Sequence, residues 1–116
     1  MRIGSLAHAA GVTTKTVRFY ERTGLLPEPP RTPSGYRDYP PESADRLVFI
    51  RGAQVAGLTL AEIRDVLAVR DSGQQPHGQV ADLIAGRLRQ AETRLAELTH
   101  ARDTLRALAH APAPPP

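Results

Sequence analysis

Residues 3–26 read IGSLAHAAGVTTKTVRFYERTGLL, and this stretch decides the fold class. Over 3–10, Ile3, Leu6 and Ala10 share one helical face, so a short amphipathic helix is expected. Gly11 stops it, and Val12 packs the corner. Thr13 carries a side-chain oxygen suited to capping a second helix over 14–22. Glu21 and Arg22 close that helix before Gly24. Val17, Tyr20 and Phe19 are assigned inward at helical spacing, with Leu25 and Leu26 packing beneath. Two short helices joined by a tight glycine-containing turn make a helix-turn-helix.

Residues 27–41, PEPPRTPSGYRDYPP, hold six prolines and a Ser-Gly turn signal, which excludes a helix. A small β-wing is expected, with one arm near Arg31, the turn at Pro33-Ser34-Gly35 and the other arm at 36–39. Alternation puts Tyr36 and Asp38 on one face, and Arg37 and Tyr39 on the other. Tyr39 is read as covering the wing.

A third helix is expected over about 41–56, with Pro41 at its start and Ala44, Leu47, Val48, Ile50 and Arg51 in period. Gly57 ends it. A fourth spans 60–69, with Thr59 and Glu62 spaced for a capping box. Residues 71–78 read as a linker and 79–110 as one long helix. Its apolar positions Ile84, Leu88, Ala91, Leu95, Leu98, Leu105 and Ala109 form a heptad seam, interrupted by Arg102. A helix this long packs poorly on a small globule, so a homodimeric coiled coil is expected, of either direction. The final residues 111–116, APAPPP, read as a disordered proline-rich tail. The fold class is therefore mainly α: a winged helix-turn-helix domain over 1–70 and a dimerisation helix.

Composition narrows the function. The chain has 116 residues, too few for two ordinary cores. Its five aromatic residues all precede position 50, and so thin a core again favours a dimer. No apolar run is long enough to span a bilayer, and the N-terminus lacks a signal-peptide core, so no membrane partner and a cytoplasmic location are expected. There is no cysteine, which removes disulfides, thiolate metal sites and a thiol nucleophile. Paired catalytic carboxylates and a phosphate-binding glycine loop are also missing, so an enzyme is not expected. The net charge of +3 equals the excess over residues 1–51, where eight basic residues face five acids. Fourteen of the fifteen basic residues are arginine, suited to phosphate and guanine edges.

The motif T-x-R-F-Y-E-x-x-G-L-L (16–26), followed by G-Y-R-x-Y (35–39) and GLTLAEIRDVL (57–67), resembles the MerR family of bacterial transcription regulators. The likeness is close over about residues 1–70, and the long helix matches in kind the family's dimerisation helix. The residues themselves place Thr14, Lys15, Thr16 and Arg18 on the open face of a recognition helix, with Tyr20 offering a hydroxyl to phosphate. Tyr36 and Arg37 are the wing clamp that the resemblance implies. It also implies double-stranded promoter DNA as partner, with RNA polymerase engaged indirectly. The site would be a palindrome between the promoter elements, distorted by the bound dimer. Arg22, Arg46, Arg51 and Arg64 read as solvated helix faces.

Metal-sensing members of the family carry a cysteine at the start of the long helix and more in a loop after it. Here His77 and His110 stand near those places. Two readings follow: an intersubunit nitrogen site for zinc, nickel, cobalt or copper(II), or two surface histidines at helix ends. His8 and His100 are not read as ligands. An effector-independent DNA-bending regulator and a coiled-coil adaptor are the alternatives in function.

Overall fold

A computed structural model describes residues 1–115. It contains five helices: α1 (Ile3–Ala10), α2 (Thr14–Arg22), α3 (Glu42–Val55), α4 (Leu60–Asp71) and α5 (Gly78–Ala109). The chain divides into two compact units, Met1–Pro76 and His77–Pro116.

In the first unit the local signals act as chain punctuation. Gly11 takes φ 68°, a left-handed conformation that suits glycine, and Val12 N–H returns to Ala7 O at 2.9 Å. Thr13 Oγ1 accepts from Thr16 N–H at 3.1 Å and so caps α2. Thr59 and Glu62 form the full capping box of α4, with bonds of 2.8 and 3.2 Å. α4 runs two residues further than its periodicity suggests, to Asp71, because Asp71 is tied back to α3.

α1 packs on α2 and α3, and α3 packs on α4. Leu6, Val17, Leu25, Leu26, Tyr39, Leu47, Ile50, Ile63 and Leu67 are fully buried between them. Each aliphatic side chain so buried contributes roughly 1.5–3 kcal/mol. Two expectations change here. Phe19 is 38% exposed and lies tilted against the Tyr20 ring, because Val17 and Tyr20 define the inner face of α2 and Phe19 falls on its flank. Tyr39, read as a cover for the wing, is instead a core residue at 1% exposure.

The wing is reduced to a single antiparallel bridge, Arg31 with Arg37. Its turn closes through Gly35 N–H to Thr32 O at 2.8 Å, with Gly35 at φ 89°. The second unit is α5, which has no buried residue; Leu88, Leu95, Leu98 and Leu105 of its seam are all more than half exposed. No helix among the described residues is long and apolar enough to cross a membrane.

Candidate nucleic-acid interface

The outer face of α2 presents Lys15 and Arg18 as exposed side chains, and Thr14 in part. Thr16 is half-buried, and its hydroxyl lies 3.0 Å from that of Thr13, so it serves the start of the helix as well as the outer face. Tyr20 does not join them. It is 4% exposed, and its hydroxyl donates to Gln54 Oε1 of α3. A phosphate-facing role for that hydroxyl is therefore corrected: Tyr20 is on the inner face of α2, one turn after Val17.

The wing lies against α2 through one carboxylate. Glu21 accepts a hydrogen bond from the Tyr39 hydroxyl at 3.1 Å and pairs with Arg37 Nη2 at 3.3 Å. Arg37 and Tyr39 share a face of their wing arm, as alternation requires, and that face is turned toward α2. Arg37 is thus half-buried and tied to the protein, while Tyr36 on the opposite face is 54% exposed. Burial, and then the Glu21 carboxylate beside it, holds the Tyr39 phenol above its ordinary pKa of 10.0.

Between the wing and α2 lies a recess of about 270 Å³ lined by Arg2, Ile3, Arg18, Arg31, Gly35, Tyr36 and Arg37. Four of the seven are arginines and none is an acid. Arg31 donates to Gly35 O at 2.8 Å, which holds it across the wing turn. Sequence reasoning missed Arg2 and Arg31. Arg2 stands before the first helix, and nothing local says that the chain start runs beside the wing, where Tyr39 N–H donates to Met1 O at 2.7 Å.

Three arginines read as solvated are structural. Arg51 Nη1 donates to Gly11 O at 2.8 Å, Arg64 Nη2 to Thr23 O and Arg46 Nε to Leu25 O, both at 2.6 Å. Gly11 closes α1, and Thr23 and Leu25 follow α2, so these carbonyls lie at helix C-terminal ends, where acceptors are left unsatisfied and cations are favoured. Arg46 also makes a two-bonded pair with Asp71 at 2.8 and 3.1 Å, which holds the Asp71 carboxyl below its ordinary value. α2 is therefore gripped at both ends from α3 and α4.

His77 and His110 flank α5 as its N-cap and C-cap, about 48 Å apart along a helix of 32 residues. One chain cannot bring them to a common ion. Among the described residues no group of three or more potential ligands is gathered.

Comparison with known proteins decides the family. The model of the MerR HTH family regulatory protein matches residues 1–69, and that of the MerR DNA-binding region matches 44–108. The chain belongs to the MerR family. It is a DNA-binding transcription regulator, and the family is one of regulators rather than enzymes. This MerR-family chain is 35% identical to the ZntR homologue of Haemophilus influenzae over 90% of its length and 78% of that protein's. It is 40% identical to the mercuric resistance operon regulatory protein of Bacillus cereus, covering 84% of this chain and 74% of that one. Among solved structures, the transcription regulator PbrR691 of Ralstonia metallidurans, in complex with lead(II), superposes with a TM-score of 0.68 and 37% identity. That match covers all of this chain and 90% of the other.

Proposed function

We propose that the protein binds, as a homodimer, a palindromic promoter site and distorts it, so that two promoter elements are presented differently to RNA polymerase. One observation carries the reading: an exposed basic face on α2, flanked by a wing that Glu21 fixes to that same helix. Thr14, Lys15, Thr16 and Arg18 enter the major groove, while Tyr36 and Arg37 meet the backbone beside it. Distorting the site costs on the order of 1–6 kcal/mol, offset by contacts that only the bent duplex permits.

The seam of α5 supplies the second copy. In a parallel pair Arg102 faces the partner's Arg102 in one layer, two like charges in a core. In an antiparallel pair, the register that sets Leu88 on Leu105 and Leu95 on Leu98 places Arg102 opposite Ala91, which leaves room for its stem. The antiparallel arrangement is therefore favoured. The same register sets Ala109 of one helix opposite Ile84 of the other. His77 then lies seven residues, about 10 Å, past the end of the partner helix, which does not favour a shared site with the partner's His110.

The test is a footprint on the DNA upstream of the protein's own gene, with equilibrium binding to the protected fragment. Protection of a palindrome between promoter elements is expected, with Arg18→Ala weakening binding at least tenfold while the fold is retained. Unchanged affinity for Arg18→Ala sinks the assignment of α2. Zinc, nickel, cobalt and copper(II) are added in turn, and an unaltered cleavage pattern is expected. A change at the centre of the site that His77→Ala and His110→Ala abolish would restore the metal-sensing alternative.

A further inference from the structure

Arg2 occupies the N-cap position of α1, where its carbonyl accepts from Leu6 N–H but its side chain makes no capping bond. Its guanidinium carbon instead stands 3.9 Å from the centroid of the Tyr36 ring. It is held there by backbone pairing: Met1 and Tyr39 exchange N–H to O bonds of 2.6 and 2.7 Å, so the chain start runs alongside the wing. The stack covers one face of an otherwise exposed tyrosine and aims a fourth guanidinium into the recess of Arg18, Arg31 and Arg37. Arg37 is paired with Glu21, but no acid lines the recess beside Arg2, Arg18 and Arg31, and a single anion entering it offsets the repulsion among their charges. Arginine suits this double duty, since its flat cation stacks on a ring face while its edge N–H groups remain free to donate.

We propose that Arg2 is a DNA-contacting and positioning residue: it completes a seat for one backbone phosphate with Arg18, Arg31 and Arg37, and its stack orients Tyr36 for the same strand. The inference rests on the DNA reading above.

Binding of the footprinted operator fragment is measured across a salt series for the full chain and its variants. Arg2→Ala is expected to make the log–log salt slope shallower by about 0.9, one phosphate neutralised less. Between 50 and 200 mM salt, its affinity deficit then shrinks by roughly 3.5-fold, the fold-change that slope implies. Arg2→Lys keeps the charge and restores the slope, but not the full affinity, because an ammonium stacks less well on the ring. Combining Arg2→Ala with Tyr36→Leu costs less than the sum of the two alone, since either change breaks the stack. Thermal melts of each variant separate a contact from a fold defect, and melting of the Arg2 variants close to that of the parent is expected. If Arg2→Ala leaves slope and affinity unchanged while Arg18→Ala weakens binding, the Arg2 inference alone is overturned. If both are silent, the DNA reading of this face is what fails.

Discussion

Glu21 shows how much one residue can decide. Its carboxylate holds both inward residues of the wing arm, Arg37 by charge and Tyr39 by a hydrogen bond. The wing has one bridge of its own, so its position is set by this contact with α2, by the burial of Tyr39 and by the backbone pairing of Tyr39 with Met1. The linkage has a sign. Tyr39 is protonated in both folded and unfolded chains below 10.0, so its contribution is fully present there. It is lost as the pH rises through the folded value, which lies above 10.0. An ultraviolet phenolate titration is expected to show one tyrosine ionising late, and Tyr39→Phe is expected to remove that late step. Glu21→Gln should move it part of the way back, because burial, the larger cause, remains. A late step that survives Tyr39→Phe would assign the raised phenol to the wrong residue.

Among single elements, the helices of the first unit start where their own residues say, and α4 alone stops late, where Asp71 is tied to α3. The start of α4 is the clearest case, with Thr59 and Glu62 satisfying each other's backbone N–H groups. Losing such a cap costs about 1 kcal/mol. In a domain of this size that corresponds to a fall in Tm of about 4–8 °C. Thr59→Ala is expected to show that fall in a thermal melt, and Thr59→Ser to recover most of it. Equal melting for all three chains would mean that packing of Ile63, Val66 and Leu67 alone holds α4 in place. α2 contrasts with α4. Nine residues are marginal as an isolated helix, and α2 is secured by its cap, by its two inward residues and by arginines that reach its flanking carbonyls.

For the whole molecule, the decisive feature is the uncovered seam of α5. Leu95 and Leu98 are 65% and 51% exposed, which a stable helix of this length does not sustain alone in water. Leu95→Asp and Leu98→Asp are each expected to give a monomer in sedimentation, with weakened binding of the full palindrome and the first unit still folded. A monomer that binds the palindrome as tightly as the parent would contradict two-fold recognition.

Features that depend on neighbours a few residues apart are legible in the chain before it folds. The ends of α1 and α2, the capping box of α4, the wing turn, the face alternation of residues 36–39 and the seam of α5 all rest on caps, glycines and periodicity. The family resemblance rests on residues of the same local kind. The partners of long polar side chains emerge only when the packed core brings distant segments together. Arg46, Arg51 and Arg64 find carbonyls 21, 40 and 41 residues away. Tyr20 turns its hydroxyl to Gln54, and Arg2 stacks on Tyr36. Period and propensity report which face a residue occupies. The reach of an arginine or a tyrosine hydroxyl is set by which distant backbone the packed core carries to that face.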